Sequence, residues 1–140
     1  MTQSTSTSRT FAATPDAVFA AFAPTRLARW WGPAGFTNTF ETCELRDGGA
    51  WRFTMHAPNG VDYPNECTFL EVRPARVVIR HTVPPYFTLS IELAPAPGGT
   101  EVRWTQAFDS AETFAQVRAI VEPANEQNLD RLAAEVERGG

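Results

Sequence analysis

The sequence predicts an α+β fold in which a curved antiparallel sheet of about six to seven strands wraps around a long C-terminal helix. Three observations predict it: apolar and polar residues alternate from Phe36 onward, turn residues divide this stretch into short segments, and the chain ends in an amphipathic stretch. Such a helix must bury its apolar side. The apolar face of the sheet is the only large partner that the chain offers, so the two should pack together.

Two short helices are expected before the sheet. Thr14 followed by Pro15 indicates the start of the first, because a threonine hydroxyl caps free N–H groups and proline suits the first helical position. The second helix is predicted over residues 25–31 and is ended by a Gly-Pro pair. It closes with Trp30 and Trp31, two adjacent large aromatics that suit a lid over an apolar space.

The strands are separated by turn signals and share apolar inner faces. The turn signals are Asp47-Gly48-Gly49, Pro58-Asn59-Gly60, Pro74-Ala75, Pro84-Pro85 and Pro97-Gly98-Gly99. The predicted inner faces carry Trp51, Phe53 and Met55; Val77, Ile79 and His81; Phe87, Leu89, Ile91 and Leu93; and Val102, Trp104, Gln106 and Phe108. Around residues 63–72 the alternation is ambiguous because Phe69 and Leu70 are adjacent. Whether Glu66 or Cys67 faces inward therefore stays open.

The C-terminal helix is predicted to begin after Ser110, whose hydroxyl suits an N-cap. Its apolar stripe comprises Phe114, Val117, Val121, Leu129, Leu132, Ala133 and Val136. Pro123 lies inside this stretch. Since proline cannot donate the helical hydrogen bond, we expect a kink or break at residues 122–123.

Composition excludes several classes of function. The 140 residues suit one domain over 1–140, with residues 1–8 either flexible or the start of the first strand. A net charge of −4, with only 12 basic residues dispersed along the chain, argues against nucleic acid as a partner. The Ser/Thr-rich start does not fit a signal peptide, and no apolar run reaches the length of about 18 residues that spans a bilayer. We therefore expect a cytoplasmic protein that does not insert into membranes.

Cysteine and histidine give no recognisable metal or cofactor motif. Cys43 and Cys67 are widely separated and fit buried thiols in a reducing compartment better than a disulfide framework. A set of His56, Glu66, Cys67 and His81 has no metal-ligand spacing. The sequence therefore predicts no metal site and no cofactor.

Many bulky residues converge beneath the C-terminal helix. We predict a cavity between this helix and the sheet that binds a small hydrophobic or aromatic ligand. The candidate ligand-binding residues are Trp30, Trp31, Trp51, Phe53, Met55, Glu66, Phe69, His81, Phe87, Leu89, Trp104, Gln106, Phe108, Phe114, Val117, Val121, Asn125 and Asn128. The alternative is that these side chains fill the space completely as an ordinary core.

Five segments carry a resemblance to a known family: FAATPDAVFAAFAPTRLARWWGPAGF, DGGAWRFTMHAPNGVDYPNE, FLEVRPARVVIRHT, GGTEVRWTQAFDSAETF and NEQNLDRLAAEV. In this order they resemble the activator of heat-shock protein 90 ATPase homologue-like family of the START-like, or SRPBCC, superfamily. The resemblance extends over nearly the whole chain and implies the helix-grip fold. It implies roles that range from binding apolar ligands and polyketide cyclisation to a cochaperone activity.

One pair of residues departs from the family pattern. Relatives commonly carry Gly-Trp in the last helix, where this chain has Ala124-Asn125. An amide in place of an indole opens space and adds a donor and an acceptor near the cavity mouth. Asn125 and Asn128 lie three residues apart, so both amides either face the sheet or are solvated on the helix flank; the sequence leaves both arrangements open.

Three functions compete. The first is binding of a small hydrophobic ligand in the cavity. The second is an enzyme of cyclase, isomerase or hydrolase type, in which His81, Glu66 and Gln106 transfer protons or orient the substrate; at least two of them must then reach one cavity within hydrogen-bonding range. The third is a cochaperone-like ATPase activator or another interaction module, which the resemblance implies. Homodimerisation through a sheet edge stays open.

Overall fold

The computed structural model describes residues 3–139. Met1 and Thr2, which belong to the predicted flexible start or first strand, lie outside the described residues, as does Gly140. The elements in chain order are β1 (Ser4–Phe11), α1 (Pro15–Ala20), α2 (Pro24–Trp30), β2 (Thr37–Cys43), β3 (Ala50–His56), β4 (Asp62–Arg73), β5 (Arg76–His81), β6 (Phe87–Ala96), β7 (Gly99–Phe108) and α3 (Ala111–Arg138). The predicted α+β architecture is confirmed.

The strands form one curved antiparallel sheet with the order β1-β7-β6-β5-β4-β3-β2. Strands β2 to β7 follow each other as a meander, because each turn signal in the sequence reverses the chain. Strand β1 lies at the other edge, paired along its whole length with β7. The two short helices connect β1 to β2 and so bridge the two edges of the sheet.

The helix caps follow the sequence signals. The Thr14 hydroxyl accepts a hydrogen bond from the Ala17 N–H at 3.2 Å. Ser110 plays the same part at the start of α3, where its Oγ accepts from the Thr113 N–H at 3.2 Å. Both side chains satisfy N–H groups that the first helical turn leaves without intrahelical partners.

Strand β4 contains a bulge that settles its ambiguous facing. Its pairing with β5 shifts register between Phe69 and Glu71, and the skipped Leu70 is 50% exposed. Because the extra residue lies beyond Phe69, Cys67 and Phe69 both point inward and are buried, whereas Glu66 is exposed on the outer face.

Helix α3 is continuous through Pro123, so of the predicted kink or break, the break does not occur. The proline removes one backbone donor, which would have served the carbonyl of Ala119, four residues earlier. Ala119 and most of its neighbours on this half of the helix are exposed, so water can satisfy that carbonyl. None of the helices within residues 3–139 is both long and apolar enough to cross a membrane.

The two halves of α3 pack differently. Leu129 and Leu132, in the C-terminal half, are fully buried against the sheet and α2. Ile120, near the middle, is 73% exposed. The helix is thus anchored by its C-terminal half, and space remains between its middle and the sheet.

Candidate ligand-binding cavity

A cavity of about 460 Å³ lies between the inner face of the sheet and the middle of α3. Its floor comprises Phe53, Met55, Cys67, Ile79, His81, Phe87, Leu89, Trp104 and Gln106. On the helix side it is bordered by Ile120, Ala124, Asn125 and Asn128. Among residues 3–139, no Asp, Glu, Lys or Arg borders this space. The surface offered to a guest molecule is therefore mainly apolar and carries no fixed charge.

One wall of the cavity is the segment that follows α2, beginning with Trp31 and Gly32. Asn128 holds this segment with both ends of its amide: Nδ2 donates to the Trp30 carbonyl at 2.9 Å, and Oδ1 accepts from the Gly32 N–H at 3.2 Å. Gly32 has φ +96°, and a Cβ there would lie 2.8 Å from Met55 Cε. The backbone angle therefore favours glycine, and a larger residue would also have to displace the flexible end of Met55.

Arg131 caps the C-terminal end of α2 from the neighbouring helix. Its guanidinium donates to the carbonyls of Arg29 at 2.9 Å and of Trp31, Gly32 and Pro33 at 3.0 Å each. These carbonyls have no intrahelical donors, because the helix has ended. Arg131 and Asn128 together hold Trp31 as a fixed wall, and Trp31 is only 9% exposed. Trp31 is thus a packed cavity wall whose backbone carbonyl is hydrogen-bonded.

A buried ion cluster joins α2 to α3 behind this wall. The Glu135 carboxylate is 2% exposed and accepts from Arg29 Nη2 at 2.8 Å and from Arg26 Nε at 3.0 Å. Arg138 lies 3.3 Å from the same carboxylate. The hydrogen bond from Arg29, helped by Arg26 and Arg138, lowers the pKa of Glu135 to about 2. Glu135 is therefore ionised wherever the protein is folded near neutral pH.

A second polar pair lies inside the cavity. Asn125 Nδ2 donates to Gln106 Oε1 at 3.1 Å, which links α3 to β7 across the cavity lining. Gln106 is 8% exposed. Both Asn125 and Asn128 therefore face the sheet, and the alternative of solvated amides does not apply.

His81 lies on the floor of the cavity with both ring nitrogens engaged. Nδ1 is 2.7 Å from the carbonyl oxygen of Pro85, and Nε2 is 2.6 Å from Asn65 Oδ1. Burial lowers the pKa of His81, which favours the neutral ring with a single N–H. The Pro85 carbonyl can only accept, so that N–H belongs on Nδ1. The Asn65 amide donates its Nδ2 to the Tyr63 carbonyl at 2.9 Å, which leaves Oδ1 beside Nε2. Each ring nitrogen therefore has a protein oxygen within 2.7 Å.

The thiols of the chain are protonated and separate. Burial raises the pKa of Cys67 to about 12 and that of Cys43 to about 11. Neither forms a disulfide. Within residues 3–139, no group of three or more His, Cys, Asp or Glu side chains comes together as a metal site.

Comparison with known proteins identifies the family. The family model for "Activator of Hsp90 ATPase homolog 1-like protein" matches residues 12–137. The chain belongs to this family. A comparison with curated proteins gave no significant match.

Solved structures agree with the fold of this Hsp90-activator-like family. A protein from Nitrosomonas europaea superposes with a TM-score of 0.87 at 20% identity, over 99% of this chain and 96% of that one. A protein from Chromobacterium violaceum gives 0.83 at 27% identity, over 98% and 99%. An AHSA1-like protein from Aeromonas hydrophila gives 0.76 at 26% identity, over 98% and 94%. Residues 3–139 therefore have the helix-grip fold, and the family model matches residues 12–137 of them.

The structure brings one group of the predicted residues together around the cavity. These are Trp31, Phe53, Met55, His81, Phe87, Leu89, Trp104, Gln106, Asn125 and Asn128. The strand residues among them were found by their alternation, because every second side chain of a strand faces the same side.

The other predicted residues lie elsewhere. Trp30 is core: its Nε1 donates to the Ala21 carbonyl at 2.8 Å. Trp51 stacks between Phe53 and Phe69, with ring centroids 4.3 and 5.3 Å apart, so Trp51 and Phe69 are packed behind the cavity floor. Phe108 and Phe114 stack on each other at 5.4 Å beneath the start of α3. They close that end of the interior.

Glu66 is the clearest error among the predicted site residues. It is exposed on the outer face of the sheet, where it pairs with Arg52 in the ladder, while Cys67 borders the cavity. His81 and Gln106 both border the cavity, but Glu66 lies on the other face of the sheet, so the complete proton-transfer set is not assembled. The hypothesis of an enzyme that uses this carboxylate loses its acid or base.

The predicted stripe on α3 is rotated at its N-terminal end. Val117 and Val121 are half-buried and do not border the cavity; Ile120 and Ala124 do. The rotation follows from the anchored residues, because Asn128 faces the cavity wall and residues four and eight positions earlier share its side of the helix.

Several cavity residues were missed by sequence reasoning: Gly32, Pro33, Phe36, Tyr63, Asn65, Cys67, Ile79, Pro85, Ile120 and Ala124. Ile79 had the correct inward facing but was not selected. Asn65 and Tyr63 share the parity of Cys67, so locating the bulge would have found all three. Pro85 and Phe36 lie outside the strands and carry no periodic signal.

Proposed function

We propose that this protein binds a small apolar or aromatic molecule with a polar end in the cavity beneath α3. The observation that carries the proposal is a cavity of about 460 Å³ bordered by apolar side chains, with one amide pair, Gln106 and Asn125, inside it. Ligand pockets typically measure about 300–1,000 Å³ and combine apolar walls with a few polar groups. The family's fold supports the same proposal.

The position of Asn125 offers a direct test. Asn125→Trp places in the cavity the indole that the family resemblance leads one to expect in the last helix. Gln116→Trp is the matched control, because Gln116 is exposed on the same helix and does not border the cavity. Binding of lipids, aromatic acids and polyketide-like compounds is measured by native mass spectrometry and thermal shift.

We expect wild type and Gln116→Trp to retain ligands that Asn125→Trp loses, with circular dichroism spectra unchanged, because the added indole occupies the ligand's space. Binding that is equally strong in Asn125→Trp would place the ligand elsewhere. A wild-type protein that binds no member of the panel at millimolar concentration would overturn the proposal.

A further inference from the structure

We infer that the ligand carries an uncharged carbonyl group and that Gln106, with Asn125, is the site that receives it. This inference rests on the proposed function and adds to it the chemical class of the polar end. It is argued from the hydrogen-bonding capacity that the cavity leaves unused.

The Gln106–Asn125 pair has more donors than it uses. Two carboxamides offer four N–H donors and two oxygens. Their mutual hydrogen bond at 3.1 Å consumes one donor, and neither Gln106 Nε2 nor Asn125 Oδ1 has another partner among residues 3–139. Three N–H groups and one complete oxygen therefore stay available, and this count is the same for either orientation of the two amides.

Burial makes the unused donors costly. Gln106 is 8% exposed as a whole residue, so little water reaches its Nε2 at the cavity surface. Trp104 Nε1 is also without a hydrogen-bond partner in the described part of the chain, but it is buried beneath the cavity lining. Trp104 and Gln106 are two positions apart on β7, so both side chains leave the same face of the strand about 7 Å apart. The Gln106 donors, which border the cavity, are stabilised by an acceptor on the ligand.

The surroundings favour a neutral acceptor over a carboxylate. None of the cavity residues within 3–139 is an Arg or Lys that could neutralise a buried anion. His81 is the one imidazole in the lining, and it lies far from Gln106. In the ladder Gln106 pairs with Leu89 and Leu89 pairs with Ile79. His81 lies two residues beyond Ile79 on the same strand. Two strand spacings and two residues give about 12 Å between the Cα atoms. A ketone, ester or amide oxygen needs only the N–H donors that are present.

The test uses three ligands that differ only at the polar end: naphthalene, 2-acetylnaphthalene and 2-naphthoic acid. Binding to the wild-type protein is measured by tryptophan fluorescence and confirmed by calorimetry. We expect 2-acetylnaphthalene to bind about tenfold tighter than naphthalene, the gain that one net hydrogen bond at the upper end of the usual range provides. The carboxylate should bind no tighter than naphthalene.

Three variants test which side chains produce the preference for the ketone. Gln106→Leu keeps the size of the side chain and removes the amide; we expect it to remove the tenfold preference for the ketone over naphthalene. Asn125→Leu is a second variant on the half-exposed helix surface and should weaken ketone binding in the same direction. Gln116→Leu makes the same change at an exposed position outside the cavity and should retain the preference.

The outcomes separate the two proposals. If naphthalene binds but the ketone binds no tighter, or if Gln106→Leu and Asn125→Leu both keep the preference, the carbonyl assignment is wrong and the binding function stands. Tighter binding of the carboxylate would also overturn it. If no naphthalene compound binds in this cavity, both proposals fail.

Discussion

Replacing Glu135 by glutamine tests how α2 and the cavity wall are held against α3. Glu135→Gln keeps the shape of the side chain and removes the charge that Arg26 and Arg29 share at 3.0 and 2.8 Å. A neutral amide has one accepting oxygen where the carboxylate has two, so the bonds that Oε1 accepts from Arg29 Nε at 3.1 Å and from Arg138 Nη1 at 3.3 Å lose their acceptor. We expect the α2–α3 contact, and with it the whole fold, to lose stability.

The magnitude follows from the pKa of Glu135, which falls from an ordinary 4.5 to about 2 in the folded protein. A gap of about 2.5 between the folded and unfolded pKa values corresponds to about 3 kcal/mol at neutral pH. Arg29 and Arg138 are 42% and 60% exposed, so water compensates part of the loss. We therefore expect Glu135→Gln to lower the free energy of unfolding by about 2 kcal/mol, or the melting temperature by about 6 °C.

The stabilisation by Glu135 should decrease as the pH falls. Because the folded pKa is depressed, the contribution of Glu135 is complete above pH 4.5 and is lost as pH falls toward 2. Urea unfolding of wild type and Glu135→Gln should differ by about 2 kcal/mol at pH 7 and by less than half of that at pH 3. Glu137→Gln is the control, since Glu137 is exposed on the same helix. Equal losses in the two variants, or a difference that does not change with pH, would refute the reasoning.

Three further outcomes are expected. Arg131→Met should cost about 2 kcal/mol in urea unfolding because it leaves the carbonyls of Arg29 and Gly32 without a donor, whereas those of Trp31 and Pro33 keep the Asn38 amide and the Phe36 N–H. Arg131→Lys should rescue little, since an ammonium group cannot span these carbonyls; full rescue by lysine would mean that charge alone matters. NMR titration of the folded protein should give a His81 pKa below 6.5, because burial lowers it. The contribution of the neutral ring to stability should be complete above pH 6.5 and decline below it. A pKa above 6.5 would contradict this. Cys67 should react with a thiol reagent far more slowly in the native than in the unfolded protein, as a pKa of about 12 leaves almost no thiolate at pH 8; equal rates would show that the thiol is accessible.

Local chemistry made the elements predictable. Thr14 and Ser110 could be recognised as caps because the hydroxyl and the N–H groups that it serves are neighbours in sequence. The inner faces of β3, β5, β6 and β7 could be recognised because alternation has a period of two wherever a strand is regular. Both signals fail where regularity ends. The bulge at Leu70 obscured which residues of β4 face inward. Glu66 was therefore selected as a site residue, although its neighbour Cys67 is the one that faces the cavity.

The buried charges were not predictable from the hydrophobic pattern. Glu135 lies among Leu132, Ala133 and Val136 in the sequence, and nothing local shows that it is 2% exposed. Its burial depends on Arg26 and Arg29, which are more than 100 residues away along the chain. Arg131 is similar, because the carbonyls that it caps belong to another helix.

The sequence by itself determined the α+β class, the element order, the helix starts and which side chains of regular strands face inward, because each depends on residues within a few positions of one another. Only the tertiary structure decided that the interior contains a cavity. Its volume depends on how α3 lies over the sheet, where the helix contacts α2 and the segment after it through Asn128, Arg131 and Glu135 and contacts β1 and β7 through Glu122 and Asn125. Most of those contacts join residues about 100 positions apart, so no local pattern encodes them.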